Sequence, residues 1–378
     1  MKYMGSKRAM LANGLGKILR AETANSERFA DLFVGSGAVA WYIAENTTCR
    51  VLAADLQLFA VSLAEAVIGR ETGVDAEALW QGWFREAQET NRRSRLFCEA
   101  DKFDRITWEG ARRRYVARAR EICAASRRPI TQAYGGHYFS PKQALTLDAL
   151  RSTLPIDRAK RSVALGALIS AASECAAAPG HTAQPFQPTR NGAQFLFGAW
   201  RRDVCSHVKS ALERICPKFA RAVGRGVVGD AETVAGQLKK GDVAFLDPPY
   251  SGVHYSRFYH VLETVARGTR SEIEGVGRYP PPSERPKSEF SIGSKSESAL
   301  DRLLAKLAER DVRTILTFPE EETSNGLSGS AVEKIAEKYF KSSKVVVNGR
   351  FSTLGGNLQN RKARIPAYEI ILTLTPLH

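Results

Sequence analysis

The hydrophobic pattern changes character twice along the chain. Up to about residue 69, short apolar runs alternate with stretches of helical period. Arg28 to Val34 reads as a strand, Gly35-Ser36-Gly37 as a tight turn, and the following residues as a helix through Glu45. A second strand, Arg50 to Ala54, ends at Asp55. From about Arg70 to Ala222 strand patterns vanish and helical ones dominate. The α/β alternation then returns, with a strand from Ala222 to Val228 that ends in Gly229-Asp230-Ala231. A helix from Glu232 to Leu238 leads into the apolar run Val243-Ala244-Phe245-Leu246, and a further helix ends near Arg267. Residues 268–294, rich in Gly, Pro, Ser and charge, read as a mobile loop. Helices at Ser296–Glu309 and Ser330–Phe340 flank a strand at Val312–Phe318. Two last strands, Lys344–Val347 and Ala367–Thr373, are separated by a polar excursion, Gly355 to Lys362. Ahead of everything stands Lys2 to Arg8, where Ser6 is expected to cap a helix running to about Arg20. The prediction is an α/β fold divided by a helical insertion: 1–69 and 223–378 as one discontinuous domain, 70–222 as the insert.

Charge sharpens the picture of the insert. The 378 residues carry a net charge of +15, which suggests a polyanionic partner. Residues 70–222 hold 26 Lys and Arg against 15 Asp and Glu, so most of the excess lies there. Arginines cluster at Arg92, Arg93 and Arg95, at Arg112, Arg113 and Arg114, at Arg118 and Arg120, and at Arg127 and Arg128. Phe103, Trp108 and Tyr115 are interleaved. Such clusters fit phosphate contacts combined with stacking, although a solvated helix face has the same composition. Tyr134 to Ser140, with His137 and Tyr138 at its centre, and Pro179 to Gly192 are candidate DNA-facing loops. Six scattered cysteines argue against a zinc site or a disulfide framework. With no secretory signal and no bilayer-spanning run, a cytoplasmic setting away from membranes is expected.

The strongest chemical signal is Asp247-Pro248-Pro249-Tyr250, directly after the apolar run. Proline cannot extend a ladder, so the strand stops there and displays a carboxylate, a rigid turn and an aromatic ring at its carboxyl end. Ligand sites of open α/β sheets gather at that edge. An exocyclic amine on a nucleobase is a poor nucleophile, because its lone pair is delocalised into the ring. Asp247 and the Pro248 carbonyl each suit one of its two N–H bonds, and a fixed pair of acceptors favours a pyramidal nitrogen with a free lone pair. Tyr250 suits stacking on the base. Gly35 and Gly37 let a ligand approach the backbone, and Asp55, about twenty positions on, suits a ribose diol. Gly5, beside Tyr3 and Lys7, suits an anionic ligand at a helix start.

Lys2–Arg8, Asp31–Gly37, Asp55, Asp230 and Asp247–Tyr250 occur in one order, with a basic helical insert between the second and third acidic strand ends. This arrangement resembles the Dam-like, alpha-group adenine-N6 DNA methyltransferases. The resemblance implies a Rossmann-like S-adenosylmethionine-dependent sheet, an insert that carries target recognition, and direct transfer to a flipped adenine without a metal. It implies that Tyr3, Gly5 and Lys7 border the methionine end of the cofactor. Asp31, Phe33, Gly35, Ser36 and Gly37 would cradle it, Asp55 would bind its ribose, and Asp230 with Ala231 its adenine. Asp247, Pro248, Pro249 and Tyr250 would form the catalytic turn, and Asp247 would also border the cofactor. Besides the arginines, His137 and Tyr138, the residues His254, Tyr255, Asn357 and Arg361 are candidates for contact with double-stranded DNA. A monomer is expected, with a cognate restriction endonuclease as a candidate partner. Met4 and Ser6 flank Gly5 where many relatives have a glycine pair.

Other readings remain open on these residues. A ribosomal RNA base methyltransferase shares the four-residue turn, and an amino-cytosine enzyme shares its chemistry, though Asp at the first position favours adenine. A DNA-binding module on an inactive scaffold is the non-enzyme reading. Carbon-5 cytosine transfer is excluded, since it needs a Pro-Cys nucleophile and the chain has only the reversed Cys216-Pro217.

Overall fold

A computed structural model describes residues 5–105, 111–351 and 365–377. The chain divides into two compact units. One contains the segment ending at Glu71, Phe219–Tyr255, and the chain from Pro286 onward; the other contains Thr72–Lys218 and Ser256–Arg285.

The first unit is built on a seven-stranded sheet. Its strands are β1 (Arg28–Asp31), β2 (Arg50–Asp55), β3 (Arg225–Val228), β4 (Val243–Leu246), β5 (Arg313–Pro319), β6 (Phe340–Phe351) and β7 (Ile365–Pro376). The order is β3-β2-β1-β4-β5-β7-β6, parallel except for β7, which runs antiparallel between β5 and β6. β4 reads as an uninterrupted apolar run because it is buried on both faces, as central parallel strands are. On one face Ala30, Leu52, Ala244, Leu246, Leu316 and Phe318 pack with Leu300, Leu303, Leu304 and Leu307 of the helix Ser296–Glu309. On the other, the helices Ala38–Asn46 and Leu58–Ile68 pack against β1 and β2. β1 pairs with β2 on one side and β4 on the other, so the strand order reverses between β1 and β4. That reversal opens a crevice beyond the strand ends, where Asp31 and Asp247 stand.

The expected N-terminal helix is broken. Ser6 does not cap it; Lys7 occupies the cap position without a side-chain bond, and Arg8–Met10 and Gly16–Thr23 are separated by a kink at Asn13 and Gly14. The final strands β6 and β7 are longer than their apolar cores predict. β6 is a sheet edge, where polar positions such as Lys341 and Ser343 are tolerated and hide the strand pattern.

The second unit is helical, from Ala76–Arg92 to Val204–Ile215. Five of its described helix starts are capped by side chains, those of Asp75, Ser94, Ser140, Asp157 and Asp203, Ser140 forming a reciprocal capping box with Gln143. Tyr134, Tyr138 and Phe139 are fully buried, which corrects the reading of Tyr134–Ser140 as a DNA-facing aromatic loop. The Tyr138 hydroxyl lies 2.6 Å from the Thr182 carbonyl oxygen and 2.9 Å from that of Gly277, so this tyrosine ties two loops together. Residues 268–285 are likewise not a featureless loop. Glu274 and Tyr279 exchange backbone hydrogen bonds around a turn, and the Tyr279 ring packs on the buried His260. Among the described residues no helix is long and apolar enough to cross a membrane.

Candidate active site

The site is assembled at the carboxyl ends of β1, β2 and β4. After β1 the chain turns sharply through Val34–Gly37. Gly37 adopts φ +75°, and a Cβ there would lie 3.3–3.4 Å from Trp41 Nε1 and the Ala64 backbone, so the turn needs glycine twice over. The Gly35 N–H donates to Asp55 Oδ2 at 3.0 Å, and Gln57 N–H donates to Oδ1 at 3.0 Å. Asp55 thereby pins the glycine turn to the end of β2. Ser36 Oγ lies 3.4 Å from Ser6 Oγ, which draws the N-terminal segment onto the same turn. Phe33 packs edge-on against Phe290 with ring centres 5.1 Å apart.

Asp31 is 1% exposed and accepts a weak bond from Phe33 N–H at 3.4 Å. Burial, countered in part by backbone N–H donors and reinforced by the negative charges of Asp247 and Asp55, pushes its carboxyl up to about 8. Three carboxylates thus share one neighbourhood, and among the described residues no ion pair relieves Asp31. A cationic ligand fits that deficit. Asp230 caps the short helix Ala231–Ala235, accepting from Glu232 and Thr233 N–H through Oδ1, with Ala231 buried beneath it.

Asp247 follows β4. Lys7 Nζ lies 3.0 Å from Asp247 Oδ1 and 2.8 Å from Glu369 Oε2 on β7, with only 5% of the lysine side chain exposed. Thr317 on β5 donates to the same Asp247 Oδ1 at 3.1 Å. Among the described residues both contacts fall on Oδ1, which leaves Oδ2 for another donor, and none donates to the Pro248 carbonyl. Burial raises the proton affinity of Asp247; Lys7 opposes the rise and Glu369 adds to it. For Lys7 burial disfavours the charge, yet the two carboxylates outweigh it and hold the ammonium above its ordinary pKa. Two of its three donors are thus committed to carboxylates, so Lys7 does not offer the open anion site its position beside Gly5 suggests. Gly5 has φ +72°, and a Cβ there would meet the Tyr250 hydroxyl at 2.8 Å. Tyr250 is half-buried and hydrogen-bonds to Tyr255, while His254 Nδ1 accepts from Ser288 N–H at 3.4 Å.

Three residues of this site carry no sequence signal: Thr317, Glu369, and Asn325, whose Nδ2 donates to the Pro249 carbonyl at 2.9 Å. Each is a polar side chain in a strand or loop, far along the chain from what it touches.

In the helical unit the basic candidates separate into two groups. Arg118 pairs with Glu99 and Glu121, Arg93 with Glu89, Arg120 donates to the Gly136 carbonyl, and Arg128 to Asn91 and nearby carbonyls. These arginines serve the unit itself. Arg113 and Arg114 are exposed and Arg112 is half-buried; with Pro188, Thr189 and Arg190 they line an open recess of about 600 Å³. No described carboxylate pairs with them. Arg92 and Arg95 are also exposed. Phe103 and Tyr115 stack on each other at 4.3 Å within the core and are not free to stack on bases. Buried Tyr138 is likewise no DNA contact. Half-buried His137 is held neutral, burial and the charges of Arg120 and Arg278 pushing its pKa down to about 3. Tyr3, Trp108, Asn357 and Arg361 lie outside the described residues.

A doubly wound sheet with acidic strand ends and a carboxylate-proline-proline-tyrosine turn at its reversal point defines a methyltransferase of Rossmann-like architecture. The chain belongs to the D12 class N6 adenine-specific DNA methyltransferase family, whose sequence model matches residues 3–298. It is also similar to the modification methylase LlaI of Lactococcus lactis subsp. lactis, 24% identical over 314 residues. That match covers 79% of this chain and 43% of the relative, so the chain spans less than half the length of the curated relative it matches.

Proposed function

We propose that this chain transfers a methyl group from S-adenosylmethionine to the N6 amine of adenine in double-stranded DNA, within a specific sequence. The observation that carries the reading is a pair of acceptors, Asp247 Oδ2 and the Pro248 carbonyl, to which no described residue donates, at the strand reversal beside the acidic glycine turn. The bound cofactor would supply an electrophilic sulfonium methyl. Asp31, Phe33, Gly35, Ser36 and Gly37 would hold its methionine end, Asp55 its ribose, and Asp230 with Ala231 its adenine. The amine lies inside the stack of a duplex, so the base must be everted before these acceptors can reach it. Asp247 and Pro248 then take one N–H each and leave the nitrogen lone pair facing the methyl. The proton that the nitrogen sheds leaves along the bond to Asp247, whose burial raises its proton affinity. Tyr250 stacks on the everted base. The helical unit supplies phosphate contacts through Arg112, Arg113 and Arg114, and with it target recognition; the relative's name as a modification methylase supports a place beside a cognate restriction endonuclease. The protein would act on DNA in the cytoplasm, as a monomer.

Sequencing that detects modified bases in DNA from cells expressing the protein tests this reading. N6-methyladenine at one recurring sequence is the expected result. Unmodified DNA, or methyl groups on cytosine amines or on RNA alone, would overturn it.

Two further outcomes are expected. Reversing Arg112, Arg113 and Arg114 to glutamate should weaken DNA binding and flatten its salt dependence, each lost phosphate contact removing about 0.9 from the slope of log K against log salt. An unchanged slope would make these arginines a solvated face. With burial pushing its carboxyl up to about 8, Asp31 is expected to hold its proton at pH 7 in the free protein. A cationic ligand requires the ionised form, so cofactor binding at pH 7 should release about one proton, falling toward zero by pH 9. Calorimetry in buffers of different ionisation heat measures this, and Asp31→Asn should abolish the release.

A further inference from the structure

We infer that Asn325 is a positioning residue that sets the target-base turn and the wall of the cofactor cradle with a single amide. The inference rests on the methyl-transfer reading above. Asn325 sits in the loop after β5 and is fully buried. Its Nδ2 donates to the Pro249 carbonyl at 2.9 Å and to the Phe290 carbonyl at 2.9 Å. Its Oδ1 accepts from Thr323 Oγ1 at 2.6 Å and from Leu327 N–H at 3.2 Å. Two donors and two acceptor sites are all an amide has, so every one is used. The orientation is therefore fixed: turned over, the amide would set its oxygen against two carbonyls.

The two carbonyls belong to opposite sides of the chemistry. Pro249 directly follows Pro248, whose carbonyl is the proposed second acceptor for the target amine. Phe290 packs edge-on against Phe33 of the glycine turn. The neighbouring Ser324 grips the same turn further on, its Oγ accepting from Gly252 N–H at 3.0 Å. The loop itself is braced, since Thr323 N–H donates to the Leu327 carbonyl at 2.8 Å and Ser296 Oγ donates to the Asn325 carbonyl. A proline pair has no N–H of its own with which to anchor its turn. Asn325 supplies the missing donor from outside, and the acceptor geometry depends on it. A shift of about 1 Å in a positioned group is enough to lower a rate about 100-fold.

The test compares wild type, Asn325→Ala and Asn325→Asp for kcat, KM for DNA and cofactor affinity from pH 6 to 8.5, with hydrogen exchange of the peptide 247–255. Asn325→Ala should lower kcat about 10- to 100-fold, with cofactor and DNA affinities within about threefold of wild type and faster exchange confined to the turn. Asn325→Asp has the same bulk but opposes two carbonyls with a carboxylate. Only its protonated form donates, so its activity relative to wild type should rise as the pH falls, while the ratio for Asn325→Ala stays flat. A kcat within twofold of wild type in the alanine variant, or unchanged exchange at the turn, would overturn the inference. So would a flat pH ratio for the aspartate variant, which decides the matter if the alanine variant does not fold. A wild type that methylates no DNA would sink the functional reading instead, and the exchange measurement would still decide whether Asn325 holds the turn.

Discussion

Replacing Asp247 by alanine should abolish measurable methyl transfer while leaving the protein folded. The argument has two halves. The first concerns rate: under the proposed mechanism, one of the two fixed acceptors of the target amine is lost, and with it the exit for the departing proton. Loss of one preorganised partner at a reacting centre costs about 10²–10³-fold, and loss of the proton acceptor adds to that. A fall of 10³ corresponds to about 4 kcal/mol of transition-state stabilisation. The second half concerns stability. Removing one partner of a buried ion pair often unfolds a protein, because an uncompensated charge remains. Here Lys7 keeps Glu369 at 2.8 Å, so its ammonium is still paired. Asp247→Ala should therefore bind cofactor and DNA with near wild-type affinity and turn over neither. Asp247→Asn should be almost as inactive, since an amide nitrogen presented to the substrate would meet the amine with a donor instead of an acceptor. A kcat within tenfold of wild type, for either variant, would remove Asp247 from the reaction.

How much of this site is legible in the sequence follows from how local each part is. The turn Asp247–Tyr250 is four consecutive residues after four consecutive buried ones, and the glycine turn is equally compact, so both can be read from the chain. The central strand β4 announces itself for the same reason: burial on both faces leaves no polar positions. The supports of the turn are another matter. Glu369 reaches Lys7 across 362 residues, and Asn325 reaches Pro249 across 76. Nothing distinguishes a glutamate in a strand, or an asparagine before a glycine, until the fold brings its partner to it. Aromatic residues mislead in the opposite direction. Tyr138, Phe103 and Tyr115 sit among arginines and look suited to stacking on bases, yet they are the core around which the helical unit packs. Composition says that rings and charges are near each other; only packing says which face inward. The contact from Tyr138 to Gly277, 139 residues on, likewise places residues 268–285 with the helices, where their Gly and Pro content alone suggests a free loop.

Lys7 carries the second large effect, and its consequences depend on pH. Lys7→Met leaves Asp247 and Glu369 facing each other in a largely buried space without a cation. Breaking a buried pair in this way costs about 3–5 kcal/mol. Asp247, whose proton affinity burial already raises, also loses the ammonium that opposes the rise. Its folded-state pKa then stands further above the unfolded carboxylate value, so the folded variant holds more protons than the unfolded chain, and stability falls as pH rises. The deficit against wild type should be larger at pH 8 than at pH 5. Asp31, with its carboxyl pushed up to about 8, lowers the stability of both proteins as pH rises through that window, and this common loss cancels in the difference. The stabilisation conferred by Lys7, whose pKa is raised in the fold, is fully present below the ordinary lysine value of 10.5 and is lost only above it. Activity should follow the same proton: the acid limb of the kcat/KM profile should move to higher pH, costing about tenfold for each unit by which the new pKa exceeds the assay pH. Adding Glu369→Gln removes the opposing carboxylate and should return part of the stability, because residues that touch are not additive. It should not restore the wild-type rate, since Asp247 would still lack its cation. Urea unfolding at both pH values, with the pH–rate profiles of the single and double variants, measures all of this. A pH-independent deficit with an unmoved acid limb would reduce Lys7 to a packing residue with no influence on the charge of Asp247.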